Sequence, residues 1–141
     1  MTSQRFFVPF YHKTYERCYR VGSNVVVMPE MKQFNSMAEY YSTAFHELIH
    51  STGHNTRMNR LDSTAFFGSE AYSKEELIAE IGDAALLNHT GLEISGSFRN
   101  SAAYIQSWLL ALRNDKRMIV SASSKAEKAV QLILGTVNEK T

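Results

Sequence analysis

Cysteine is nearly missing: Cys18 is the one thiol among 141 residues, so no disulfide can form within the chain. That excludes the disulfide-stapled secreted scaffolds, and leaves Cys18 as a filler of a strand or loop in a reducing compartment. Only two prolines and seven glycines occur, so no proline-rich linker or glycine-rich tract divides the sequence. No apolar run approaches the roughly 20 residues that span a bilayer. The opening residues, MTSQRFFVPFYHK, lack a sustained hydrophobic region with a cleavage-like site, and no secretory signal is expected. Excess charge is lacking too. A net charge of +1 gives no overall field that would draw in nucleic acid or a membrane. Arg113, Lys116, Arg117, Lys125 and Lys128 gather locally, and read as a solvated helix face. The expectation is a soluble, cytoplasmic protein with no membrane partner.

What is present is an ordinary globular composition, 44% apolar and 21% charged, at a length suited to one domain over residues 1–141. Residues 5–11 (RFFVPFY) and 24–28 (NVVVM) are rich in aromatic and β-branched side chains and predict two short strands. Gly22, Ser23 and Asn24 form a turn before the second, and Pro29 stops it. From Ser36 the period becomes helical. Met37, Tyr40, Tyr41, Ala44, Phe45, Leu48, Ile49 and Thr52 fall on one stripe, predicting a helix over 37–52. Ser36 and Glu39 have capping-box spacing, and Gly53 can end the helix in a left-handed conformation. Residues 54–72 are polar and irregular. A second helix is expected at 74–90, capped by Ser73 with Glu76, closed by Gly91, its apolar side formed by Leu77, Ile78, Ile81, Ala84 and Ala85. A third, capped by Asn100, carries Ala103, Tyr104, Trp108, Leu109 and Leu112. A fourth runs from Arg117 or Met118 to Leu134, ended by Gly135. The fold class is α+β, a small N-terminal sheet followed by about four helices.

The chemistry sits in the first long helix. His46-Glu47-Leu48-Ile49-His50 is HExxH. Side chains at i and i+4 share a helix face, so both imidazoles can reach one ion at the roughly 2.0–2.1 Å that zinc requires. Glu47 projects beside that face, where its carboxylate can take a proton from water acidified by the ion. With five histidines in the chain, the motif arises by chance about once in a hundred such sequences.

Two histidines leave a catalytic zinc short of a third protein ligand. The HExxHxxGxxH continuation fails, since position 56 is Thr56. His54 is near in sequence but follows Gly53, which places it in a loop or behind a ligand. Glu76 and Glu80 are i and i+4 on the second helix. One can bind metal while the other accepts the outer N–H of a ligand histidine and fixes its tautomer. Asp83 shares their face.

These runs together, YYSTAFHELIHSTGHNTRMNR, FGSEAYSKEELIAEIGDAALL and NSAAYIQSWLLALRNDKRMIVSASSKAEKAVQLIL, resemble the zincin-like metallopeptidase domain of ArdC-type antirestriction proteins, which also occurs in polyvalent proteins of phages and plasmids. The resemblance covers residues 24–134 in three ordered motifs. It implies a gluzincin-like site with His46 and His50 as ligands and Glu47 as base. Glu76, heading an E-x-x-A-E stretch, becomes the third ligand, with Glu80 behind it. Tyr72 is implied as a hydrogen-bond donor to a tetrahedral oxyanion. Full-length ArdC-type proteins also carry an N-terminal domain that binds single-stranded DNA. This chain reads as the metallopeptidase part alone, so DNA contact is expected only through a domain outside it.

The resemblance implies a zinc peptidase acting on a protein or peptide, in antirestriction or mobile-element defence against host systems. The alternative is a non-catalytic module of the same fold that binds a host protein or DNA. A structural zinc site is disfavoured, because such sites use cysteine.

Overall fold

The computed structural model describes residues 6–13, 15–61, 69–92, 102–103, 105–110, 112–113 and 115–135. Three short strands, β1 (Phe10–His12), β2 (Cys18–Arg20) and β3 (Val25–Met28), form one sheet in the order β1-β3-β2. β1 runs parallel to β3, with Phe10 beside Val26, while β2 is antiparallel, with Cys18 beside Val27. The valine run occupies the centre because β-branched side chains suit a strand covered on both faces. Val26, Val27 and Met28 are almost wholly buried.

The strand expected at 24–28 is present, and Pro29 follows its last residue. Asn24 falls in the turn before it, with a φ of 54°. The strand expected at 5–11 pairs only from Phe10 onward. β2 was not anticipated: its three residues sit among Glu16, Arg17 and Arg20, with no apolar run to mark them.

Helix α1 spans Met37–Thr52, as the apolar stripe predicts, though Met37 itself is exposed. Ser36 Oγ accepts the Glu39 amide at 3.1 Å. Gly53 ends the helix with φ −80°, right-handed where a left-handed residue was expected. Its lack of a side chain serves close approach: a Cβ there would stand 2.8 Å from Leu61 Cγ and 3.2 Å from Arg60 Nη2.

Helix α2 spans Glu70–Thr90, four residues longer at its start than the sequence predicts. The cap is Ser69, whose Oγ accepts the Tyr72 amide at 3.1 Å; Ser73 is buried inside the helix. Gly91 closes it in the left-handed conformation, φ 72°. Its core side is Leu77, Ile78, Ala79, Leu86 and Leu87, and Ala85 is exposed. α2 packs against α1 on one side and the last helix on the other, so burial covers a wide arc and blurs a single stripe.

That last helix, α3, spans Lys116–Leu134 under an Asp115 cap, and Gly135 ends it at φ 69°. Between α2 and α3, residues 102–103 and 105–110 are helical, where the third helix was expected. Its Asn100 cap and Tyr104 lie outside the described residues. No helix among the described residues is long and apolar enough to cross a membrane.

Two apolar clusters meet at α1. One lies over the sheet, with Val8, Val26, Met28, Tyr40 and Ala44; the other joins Ile49 to α2 and α3 through Leu77, Leu86, Ala122, Ala126 and Ala129. Arg57 ties the end of α1 to the sheet side, donating to Ser51 O, Asn24 Oδ1 and Phe7 O, each at 2.9 Å.

α1 and α2 approach closely at Gly82, where a Cβ would stand 2.6 Å from Ile49 Cδ1 and 2.7 Å from Ile49 Cγ1. Ile49 is fully buried and lies inside the HExxH run. Overpacking costs about 1–3 kcal/mol, against about 1 kcal/mol regained by alanine in a helix interior. Gly82→Ala is therefore expected to destabilise the protein by about 1 kcal/mol in a denaturant titration. Adding Ile49→Val should recover part of the loss; a more stable Gly82→Ala protein would contradict the packing.

Candidate metal centre

α1 brings His46 and His50 to one side, one turn apart, as the i and i+4 spacing requires. α2 faces them with Glu75, Glu76 and Glu80. The two imidazole Nε2 atoms are 3.1 Å apart. Glu76 spans them, Oε2 at 3.1 Å from His46 Nε2 and Oε1 at 3.0 Å from His50 Nε2. His46, His50 and Glu76 thus form a cluster that could hold a metal ion.

The outer ring nitrogens decide what the inner ones can do. His46 Nδ1 meets Glu80 Oε1 at 3.0 Å, and His50 Nδ1 meets Glu75 Oε2 at 2.8 Å. An ionised carboxylate only accepts, so both Nδ1 atoms carry hydrogen, and in the neutral rings both Nε2 atoms present lone pairs. Two lone pairs and a carboxylate converge with no donor between them. Only a cation relieves that arrangement. Tetrahedral zinc ligands at about 2.1 Å stand about 3.4 Å from one another, and the observed separations of 3.0 to 3.1 Å are a little tighter.

Protons can act as the cation instead. Burial alone would lower both imidazole pKa values, but the carboxylates outweigh it. Glu76 and Glu80 push His46 well above its ordinary value, and Glu75 and Glu76 raise His50 to about 9. Burial opposes ionisation of Glu76 as well, yet the two histidines hold it at about 2. Asp83, further along α2, accepts from Ser42 Oγ at 2.9 Å; burial, with Glu80 adding, raises it to about 7. A second grouping joins His46, Glu80 and Asp83.

A cleft of about 440 Å³ opens on the cluster, lined by His46, Glu47, His50, Tyr72, Glu75 and Glu76, and on the sheet side by Arg17, Cys18, Tyr19 and Val21. Glu47 is 9% exposed and lies in this cleft without joining the clustered ligand atoms. The Tyr72 ring packs edge-on against Trp108 at 5.7 Å. His54 is not brought to the cluster: its Nδ1 accepts the Thr56 amide at 3.2 Å, and it borders a separate cavity. Of the aromatic residues at the N-terminal end of the sheet, Phe7 and Tyr11 are exposed, and Phe10 packs against the sheet cluster. β2 supplies that wall.

Glu75 was the neighbour that sequence reasoning passed over. It occupies the position before Glu76 on α2, and a helix turns about 100° per residue, so i and i+1 are not expected to serve one site. Here Glu76 meets the inner nitrogens and Glu75 the outer nitrogen of His50.

The chain belongs to the zincin-like metallopeptidase family, whose model matches residues 4–125. Among solved structures it is similar to the antirestriction ArdC protein from the R388 plasmid. The Mn(II)-bound form superposes with a TM-score of 0.75 at 37% identity, covering 95% of this chain and 49% of that one. The metal-free form gives 0.70 at 38% identity, covering 90% and 45%. Among relatives, a DNA primase TraC of Escherichia coli is 41% identical over 87% of this chain and 11% of its own length. The protein y4eC of Sinorhizobium fredii (strain NBRC 101917 / NGR234) is 38% identical over 78% of this chain and 35% of its own. The chain therefore spans about a tenth of TraC and half of ArdC.

Because ligand imidazoles must be neutral, metal has to displace protons from the histidine pair. Apparent affinity is expected to rise with pH until both imidazoles have lost their extra protons, His50 at about 9. Stability of the metal-free protein should move the other way. The raised His50 contributes fully below the ordinary 6.5 and loses its contribution as pH passes 9. The depressed Glu76 contributes above 4.5 and loses it toward 2. Chelator competition and thermal melts across this range check both slopes. Glu76→Ala should weaken metal binding more than Glu80→Ala, and the reverse order would exchange the two roles.

Proposed function

We propose that this chain is a zinc-dependent peptidase domain hydrolysing peptide bonds of a protein or peptide substrate. The observation that carries the reading is Glu47: a buried carboxylate in the same cleft as the converging His46, His50 and Glu76, yet outside the ligand cluster. A structural metal site has no need of such a neighbour. The imidazole-imidazole-carboxylate donor set is that of the His₂Glu zinc peptidases, and the Mn(II)-bound ArdC relative supports a divalent ion in a fold of this kind.

His46, His50 and Glu76 would hold the ion, which when bound would polarise a carbonyl and acidify water. Glu47 takes the proton of the attacking water and returns it to the departing amine. Glu80 and Glu75 keep the outer ring protons on Nδ1, so that both Nε2 atoms remain ligands. Tyr72, steadied by Trp108, donates its hydroxyl to the oxyanion that develops on the substrate carbonyl. The likeness to ArdC supports a role in antirestriction or mobile-element defence against host systems, with contact to DNA assigned to other parts of the longer relatives.

Purified without chelators, the protein should carry about one zinc per chain. Glu47→Gln should keep that metal and lower peptide hydrolysis by at least about a hundredfold. Cleavage at the wild-type rate would remove Glu47 as the base. Metal binding without hydrolysis of any peptide pool by the wild type would favour the non-catalytic module.

A further inference from the structure

We propose that Arg60 is a positioning residue of this metal centre, acting on His50 through Glu75; the inference rests on the metal-holding reading above. Arg60 lies ten residues beyond His50, in the stretch between α1 and α2. Its side chain is only 8% exposed. Nε donates to Glu75 Oε1 at 3.0 Å and Nη2 to Glu75 Oε2 at 3.1 Å, a two-point clamp. The same Oε2 accepts His50 Nδ1–H at 2.8 Å. Arg60, Glu75 and His50 therefore form one chain of charge-assisted hydrogen bonds ending on a ligand ring.

An isolated carboxylate buried against an imidazole has two ways out. It can swing away from the ring, or draw the Nδ1 proton to itself and undo the tautomer. A guanidinium is always charged and planar, so it blocks both: it compensates the charge and fixes the carboxylate plane.

The backbone is shaped to deliver this side chain. Asn59, immediately before Arg60, adopts a left-handed φ of 51°, which reverses the chain. The Arg60 and Leu61 amides then donate to Gly53 O at 2.9 and 3.0 Å. A side chain at Gly53 would stand in the way of the guanidinium. From there Nη1 reaches Thr52 Oγ1 at 2.8 Å and Nη2 reaches Ile49 O at 2.9 Å. These last two bonds cap the end of α1, and capping alone would account for them. It would not account for the two-point clamp on Glu75. Glu80, which holds the other ligand ring, has no arginine or lysine in ion-pair contact among the described residues. The two histidines are thus steadied by different means, and among the described residues only His50 is tied to the loop.

The test compares zinc affinity by chelator competition in the full chain, with cobalt absorption as a second readout of ligand geometry. Arg60→Ala and Arg60→Lys are expected to weaken zinc binding by roughly 10–100-fold and to alter the cobalt bands. Added guanidinium ion at low, non-denaturing concentration should restore much of the Arg60→Ala loss. Ser36→Ala, which removes the cap at the far end of α1, should lower the melting temperature and leave zinc affinity within about twofold. A folded Arg60→Ala protein that binds zinc as tightly as wild type overturns the proposal. Should Arg60→Ala fail to fold, Glu75→Gln breaks the same chain at its middle, and unchanged affinity there overturns it equally. A wild-type protein that takes up no metal fails differently, by sinking the metal-centre reading itself.

Discussion

The separation of α1 and α2 is the constraint on which the molecule's chemistry depends. Gly82 has no side chain, so Ile49 can press against the α2 backbone. Ile49 is flanked in sequence by the two imidazoles, and Gly82 lies two residues beyond Glu80. That contact sets how far the histidines stand from the carboxylates opposite. Separations near 3 Å across the cluster leave little tolerance: moving one helix outward by a methyl group would part the donor atoms. The apolar packing and the polar cluster are consecutive layers of one helix pair.

Within that pair, each imidazole is gripped at both nitrogens. The inner atoms converge with Glu76, and the outer ones are fixed by Glu80 and Glu75. Such an arrangement fixes the orientation of both rings, at the expense of gathering negative charge in a buried place. The structure handles that charge unevenly. Glu75 has Arg60, Asp83 is raised toward its neutral form, and Glu76 is left to the cation that the cluster selects.

Much of this was legible in the sequence. The apolar stripe over 37–52 gave α1 to the residue, and HExxH inside it brought His46, His50 and Glu47 to one cleft. The pairing of Glu76 with Glu80 also follows from helix period, because i and i+4 residues meet the same neighbour. Four features were not legible, each for a physical reason. β2 is three residues long and gains its strand character from pairing with β3, not from its own composition. The start of α2 turned on which of two serines capped it, a choice made by tertiary contacts that bury Ser73. Arg60 and Glu75 meet across a loop reversal that no periodicity encodes, and His54 was drawn toward the site by sequence proximity that the turn at 53–61 cancels.

The position of α1 between two separate apolar clusters has a mechanical meaning. Its sheet-facing side belongs to one cluster and Ile49 to the other, so sixteen residues act as a party wall between the two. Strain applied to either half, by a bound molecule or by a neighbouring part of a longer polypeptide, can reach its opposite through that wall. Both imidazoles are mounted on it. The site is therefore placed where the molecule's internal forces meet.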